Sequence, residues 1–395
     1  MKILGGHATA MGVALVLTSA AQPTAAKIIP SIDTTVRLGY DTNPFLSQGN
    51  DLATGSAKVD VKPALSYVTP TGQAVLTGDY ERSQYQQHYG HTDQYGGTLD
   101  LRKRFNPKFD AFVALRYDSS VIGQSDDVVA QSPSAPPTDQ TDVNLIGQRQ
   151  RSNVYSAQAG FNYVVGPKDT VSVDGGITLT RFPGRGLGSA SDNYGGRVAL
   201  SHAISAKTKI GVSSSVYRIV YDIAGFNTLV AQPTVTFSTQ LSPTWNLDLA
   251  AGVSISDIVL PGPGNDSRTV GFAGNVSLCH AGRTNHFCLS GSRTVSGSGL
   301  GGSSQRNQVG LHFDQDLTPT LSADANASVT QSKSQSKAIG NRDYVSVQAG
   351  LTKKVTRRFK VGVDGRYRDV FGSGTKVKAD VGGEVNATLI LPGPS

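Results

Sequence analysis

Leu241-Ser242-Pro243-Thr244-Trp245-Asn246-Leu247-Asp248-Leu249-Ala250-Ala251-Gly252-Val253-Ser254-Ile255-Ser256 is the stretch that decides the fold of this chain. After the turn at its start, one parity reads Trp245, Leu247, Leu249, Ala251, Val253 and Ile255, and the other reads Asn246, Asp248, Ala250, Gly252, Ser254 and Ser256. A period of two belongs to a strand with one apolar and one polar face. The run also reaches the roughly 10 residues that a tilted strand needs to cross a bilayer. Gln232 to Val259 therefore reads as one membrane hairpin.

Working outward, short turns of the same kind return at Thr69-Pro70-Thr71-Gly72, Asn106-Pro107-Lys108, Gly166-Pro167-Lys168-Asp169 and Ser205-Ala206-Lys207-Thr208. They continue at Gly282-Arg283-Thr284-Asn285, Thr318-Pro319-Thr320 and Val355-Thr356-Arg357-Arg358. Apart from one long insertion their spacing is roughly 36 to 40 residues, which is two membrane strands plus a loop. The fold class is all-β, a transmembrane antiparallel β-barrel of about 18 strands, an even number as in bacterial barrels. The weakly patterned stretches near 86–95 and 217–230 leave about 16 strands as the alternative count.

Composition points the same way. Hydrophobic residues make up only 38% of the chain, which excludes a bundle of spanning helices, while 45 glycines and many Ser, Thr and Asn residues suit tight turns and a polar lumen. The formal net charge of +7 is spread over both signs and indicates no nucleic-acid partner. Met1 to Ala26 carries Lys2, an apolar run from Met11 to Leu17, and the small residues Thr24-Ala25-Ala26. These features predict a signal peptide over 1–26 and a barrel domain over 27–395, exported from the cytoplasm.

The first mature strand reads Ile32, Thr34, Val36, Leu38 and Tyr40 outward and Asp33, Thr35, Arg37 and Asp41 inward, and Pro44 ends it. Val36-Arg37-Leu38-Gly39-Tyr40-Asp41-Thr42-Asn43-Pro44-Phe45 resembles the opening of a porin-like outer-membrane β-barrel family whose members are frequently linked with exopolysaccharide systems. The resemblance implies an outer-membrane location in a Gram-negative bacterium, contact with lipid and lipopolysaccharide, assembly by the barrel-assembly machinery, and polysaccharide export components as partners. Known barrels of this kind usually end on an aromatic residue, whereas this chain reads Leu391-Pro392-Gly393-Pro394-Ser395.

Inward parity assigns Arg37, Lys58, Lys62, Arg102, Arg104, Arg116, Arg197, Arg366 and Arg368 to the pore lining, interleaved with acidic residues such as Asp60, Glu81, Asp380 and Glu384. Mixed charges solvate a channel and pair across strands. Arg366 and Arg368 form an anion-contacting row with Arg102 and Arg104 only if the barrel brings them to one height. Ser120 to Gln150 is the longest loop, with Asp126, Asp127 and Asp139 as its negative charges and a stiff Pro-rich middle. Two readings stand for it: an inward constriction, or a solvated surface loop.

No Gly-x-Ser-x-Gly elbow, phosphate-binding glycine loop or His-Glu-x-x-His helix is present, and the chain reads as a non-enzyme with no cofactor. His312 shares the inward parity of Asp314 and reads first as one polar lumen residue. If 282–285 is a turn, Cys279 lies opposite Cys288, and an oxidising compartment favours their disulfide. His280 and His286 then fall on opposite faces, so four convergent ligands are not expected and the chain reads as having no metal site. Two function classes follow: a pore or conduit for solutes or exopolysaccharide, and a non-conducting barrel that docks an envelope polysaccharide complex.

Overall fold

Every alternating segment of the sequence is a strand, because only full cross-strand pairing satisfies backbone groups that face hydrocarbon. The computed structural model describes residues 26–49, 52–123, 143–184, 188–222, 227–259, 267–334, 340–372 and 377–392. Almost the whole expected signal peptide and the loop acids Asp126, Asp127 and Asp139 lie outside these residues.

The strands are β1 (Lys27–Asp41), β2 (Thr54–Thr69), β3 (Gly72–Tyr85), β4 (His91–Asn106), β5 (Phe109–Val121) and β6 (Arg151–Val164). They continue with β7 (Asp169–Arg181), β8 (Ser191–Ala203), β9 (Thr208–Tyr221), β10 (Asn227–Ser242), β11 (Trp245–Val259) and β12 (Ser267–Ala281). The last are β13 (Asn285–Gly297), β14 (Ser303–Thr318), β15 (Leu321–Ser334), β16 (Arg342–Lys354), β17 (Phe359–Gly372) and β18 (Asp380–Pro392). Sequence neighbours pair antiparallel throughout, and β1 pairs with both β2 and β18, so the 18-stranded sheet closes on itself.

The count of 16 fails for a physical reason. Near 217–230 the inward parity carries Tyr217, Ile219, Tyr221 and Val230, all buried, so apolar residues on both faces mask a strand that is present. β1 starts at Lys27 rather than Ile32, since Lys27 to Pro30 pair with Val68 to Leu65 of β2 before the β18 ladder begins at Ser31. Pro30 is tolerated there because, among the described residues, that part of β1 pairs only with β2.

Outward residues form an apolar band that includes Leu38, Leu76, Val198, Val212, Val253, Val309, Val363 and Val385, all exposed. At the end with the short turns the band is bordered by Tyr67, Phe105, Tyr163 and Phe359 and by Trp245, whose ring lies 4.8 Å from that of His280. At the other end stand Tyr40, Tyr80, Tyr95, Tyr155 and Tyr194, beyond which outward ion pairs Arg181–Asp192 and Arg268–Asp257 appear. Two aromatic belts about one apolar band are what a spanning barrel requires at its two interfaces. Leu249, facing out and paired with Phe237 and Val276, sits within the band. Leu249→Arg is expected to cost about 2 to 4 kcal/mol near the midplane. Denaturant titration of the barrel in lipid vesicles measures it, and an unchanged midpoint would disprove the facing of β11.

The ladder between β12 and β13 is cut short. Their ladder stops at Gly274 opposite Arg293, while Thr294 to Gly297 stay paired with Arg306 to Ser303 of β14. This hairpin end leans into the lumen: Val295 is buried against Tyr217, whose hydroxyl donates to the Val295 carbonyl.

Candidate functional site: a charged lumen narrowed by inward loops

Inward parity brings charges from β17, β18, β1, β2 and β3 onto one patch of the inner wall, where the closing ladder joins β18 to β1. Arg37 reaches Asp60 at 3.3 Å, Glu81 at 3.0 Å and Glu384 at 3.6 Å. Lys62 meets Asp60 at 2.9 Å, and Lys58 meets Glu384 at 3.5 Å. Arg366 donates from Nη2 to both carboxylate oxygens of Asp41 at 2.6 and 2.7 Å and lies 3.4 Å from Glu384. Arg368 donates from Nε and Nη2 to Asp380 at 3.1 and 2.7 Å. Charge alternates along this chain of contacts, whose ends differ in exposure: the side chain of Lys62 is 58% exposed, while Asp41 and Asp380 are 0%. Its wet end is the part a solute can meet.

Above the dry end, loops turn inward. Asn43 donates from its backbone to Asp380 at 2.8 Å and from its side chain to the carbonyls of Ser47 and Lys378, which bends 42–49 over the lumen. Arg368 fixes the same loop by donating to the Pro44 carbonyl at 2.8 Å, and fixes the next inward segment by donating to that of Gly123 at 3.1 Å. Phe45, fully buried, packs with Tyr85, Tyr89 and Val121.

The described far limb of the long loop between β5 and β6 crosses to the opposite wall. A single 3-10 turn, Val143–Leu145, is buried together with Ile146. Val143 and Ile146 cluster with Leu46, Tyr344 and Val370, Asn144 donates to Ser332 at 3.1 Å, and Arg342 donates to the Ile146 carbonyl at 3.0 Å. Where the two loops meet, the backbones touch. A Cβ on Gly147 (φ +87°) would lie 2.7 Å from the Leu46 carbonyl oxygen, and one on Gly123 (φ +90°) would lie 3.0 Å from that of Phe45. Leu46 itself holds φ at +50°, a left-handed conformation that costs a branched side chain of this size of order 1 to 3 kcal/mol and persists where packing over-determines it.

The sequence-predicted lining residues divide into three groups. Arg37, Lys58, Lys62, Arg366 and Arg368 converge in the network described above. Arg197 pairs separately with Asp174, 2.9 Å from its Nη2, and Arg116 lies on the inner face opposite Thr98 and Ser156. Arg102 and Arg104 are exposed beside the short turn after β4, opposite Gln73 and Asp110. Arg366 and Arg368 sit in the other half of the barrel, so the four arginines form no common row: β4 and β17 run in opposite directions, and each pair lies toward its strand's C-terminal end. Sequence reasoning placed Asp41 inward but missed Asn43 and Phe45 as lumen residues. Their alternation continues the inward parity of Arg37 and Gly39 past the strand end, and that was the available signal.

Cys279 and Cys288 are directly opposed and joined by a disulfide, S–S 2.05 Å. His280 pairs outward with Phe287, and His286 lies on the inner face.

No family model and no curated protein matches the chain. Among solved structures it is similar to Pseudomonas aeruginosa OccK2 (OpdF), at 9% identity over 92% of this chain and 98% of that one, with a TM-score of 0.50. It is also similar to a BenF-like porin from Pseudomonas fluorescens Pf-5, at 8% identity over 92% and 98% of the two chains, with a TM-score of 0.48. The fold is a closed 18-stranded antiparallel barrel, shared with OccK2 (OpdF). In such a barrel of 18 strands the wall is too wide for its own side chains to fill, so the inward loops set the bore.

Proposed function

We propose that this barrel is a passive pore in the outer membrane of a Gram-negative bacterium, passing small polar or charged solutes through a loop-narrowed lumen. The observation that carries this reading is the inner wall on the short-turn side of the loops. Thr35, Thr98, Asp110, Asn162, Asn326 and Asn386 face inward there and stay partly exposed, so the lumen offers water and hydrogen-bond partners rather than a packed core. The charged network then borders the passage with balanced signs, which suits solutes that exchange quickly between weak sites. Residues 1–26 are the expected leader, and lipid, lipopolysaccharide and the barrel-assembly machinery are the expected partners.

Exopolysaccharide export, the finer function implied by the sequence resemblance, requires a polymer to thread past Phe45, Leu46 and the 143–146 segment, and so requires those loops to leave the lumen. A non-conducting docking barrel is favoured by one feature, the filling of the loop-bearing end by Tyr217, Ile219, Val230 and Val295. Planar bilayers separate the three readings. Purified protein should give stepwise ion conductance that small charged solutes interrupt and long neutral or acidic oligosaccharides do not. Interruption that requires long oligosaccharides would transfer the preference to export, and no conductance in correctly folded protein would transfer it to docking.

A further inference from the structure

The lumen end near the short turns carries a second constellation, which owes nothing to the pore reading. β13 and β14 place His286 opposite Asp314 and Cys288 opposite His312, so His286, His312 and Asp314 all project from the inner face of two adjacent strands. Their donor atoms lie within 4.8 Å of one another. His312 Nε2 is 2.5 Å from Asp314 Oδ2, His286 Nδ1 is 3.9 Å from the same oxygen, and the two imidazole rings meet edge to face with centroids 5.7 Å apart.

Two supporting contacts make this more than three neighbouring polar residues. The other nitrogen of His312, Nδ1, is 2.5 Å from Asn326 Oδ1 on β15. An amide oxygen only accepts, so it keeps the proton on Nδ1 and turns the lone pair of Nε2 toward the carboxylate. Nε2 and the carboxylate oxygen are both electron-pair donors to whatever cation lies between them, a proton or a metal ion, and a metal ion needs them further apart than the 2.5 Å seen here. The second contact is structural: Cys288, two residues beyond His286, is bonded to Cys279, with His286 Nε2 3.6 Å from its sulfur. The covalent link pins the strand that carries one ligand to its neighbour, as a preorganised site requires.

We infer that His286, His312 and Asp314 bind one divalent transition-metal ion of the zinc class on the inner wall of the lumen. Two imidazoles and a carboxylate suit Zn2+, Co2+, Ni2+ or Cu2+, whereas Ca2+ and Mg2+ take oxygen ligands. Metal–ligand distances of about 2.1 Å bring tetrahedral or octahedral donors to about 3 to 3.4 Å of one another. Coordination therefore requires His286 to move closer and His312 and Asp314 to move apart from their present 3.9 and 2.5 Å. The three side chains are between 34% and 48% exposed, so a hydrated ion reaches them directly. Three protein ligands leave coordination positions for water, open toward the lumen. A bound ion would present positive charge to a passing carboxylate or phosphate.

The test uses full-length, untagged, disulfide-intact protein in detergent, stripped with a chelator. Titration with ZnCl2 followed by metal analysis after dialysis should give one ion per folded chain, and Co2+ should develop visible absorption bands that Zn2+ removes and Mg2+ does not. His312→Ala and Asp314→Ala should each weaken binding at least roughly tenfold, and Asn326→Ala should weaken it by a factor of roughly 10 to 100, the usual effect of removing a supporting partner. His202→Ala, a histidine beside Asp169 at another short turn, should change nothing. Heat-modifiable gel mobility confirms that each variant is folded. Absence of saturable Zn2+ binding in the folded parent, or unchanged binding in folded His286→Ala/His312→Ala, would overturn the assignment.

Discussion

Val143→Ala combined with Ile146→Ala should raise single-channel conductance several-fold while leaving the barrel folded. Both side chains are almost fully buried, and with Leu46, Tyr344 and Val370 they form the apolar contact that holds the β5–β6 loop against the opposite wall. Truncating a buried isoleucine to alanine costs roughly 2 to 5 kcal/mol where the surroundings cannot collapse. The polar anchors of the limb, among them the Asn144 bond to Ser332, the Arg342 bond to the Ile146 carbonyl and the Arg149 bond to the Tyr89 carbonyl, then have to hold it without its apolar contact. Lifting the limb out leaves the strand ladders untouched, so heat-modifiable mobility should not change. Planar-bilayer recordings read the effect, and parent-like conductance in the folded double variant would show that 143–146 does not set the bore.

The second large effect is expected at Arg368. Its guanidinium satisfies Asp380, which is fully buried, and holds the Pro44 and Gly123 carbonyls, so one side chain anchors the wall and both inward loops. Arg368→Ala strands a buried carboxylate, and breaking such a pair costs about 3 to 5 kcal/mol, because the remaining charge has lost its partner. Arg366 Nε, 4.0 Å from Asp380, offsets part of this. Arg368→Met with Asp380→Leu removes both charges and should recover much of the loss in a double-mutant cycle, although the loops stay unanchored and conductance stays raised. Urea titration of vesicle-inserted protein reads the stability. A loss below 1 kcal/mol in the single variant would mean that the pair is hydrated.

The barrel was legible in the sequence because its two faces meet different solvents, and Trp245 to Ile255 carries that contrast without interruption. The contrast fades where the inner face is not wet. Tyr217, Ile219 and Tyr221 are apolar on the lumen side because the end of the β13–β14 hairpin covers them, and a two-residue period cannot report such a cover. The long loop was legible only as one of two readings, constriction or surface loop, and the anchors that hold it inward were hidden. Asp41, Asn43, Leu46, Val143 and Ile146 find partners across sequence gaps that no local pattern encodes. The lining arginines were legible as inward, but their heights were not, since height depends on strand direction and on distance from the turn. His286 and Asp314 come together only through the pairing of β13 with β14, whereas the sequence reading set His286 beside His280 across the cysteine hairpin and His312 beside Asp314 on one strand.

The charged patch between β17, β18, β1 and β2 also has a meaning in time. Arg366 and Asp41 are 325 positions apart, Arg368 and Pro44 are 324 apart, and Asn43 and Asp380 are 337 apart. No growing sheet of consecutive hairpins makes these contacts early, since the loop each one closes is nearly the whole chain. While the first and last strands remain apart, these carboxylates and guanidinium groups stay in water at no cost. When the strands meet, dehydration, charge pairing and the folding-in of 42–49 arrive together. Sealing is then a single late event, and its reversal must expose paired charges before any strand can leave. Such a seam favours a barrel whose persistence is governed by the rate of reopening more than by the depth of its equilibrium.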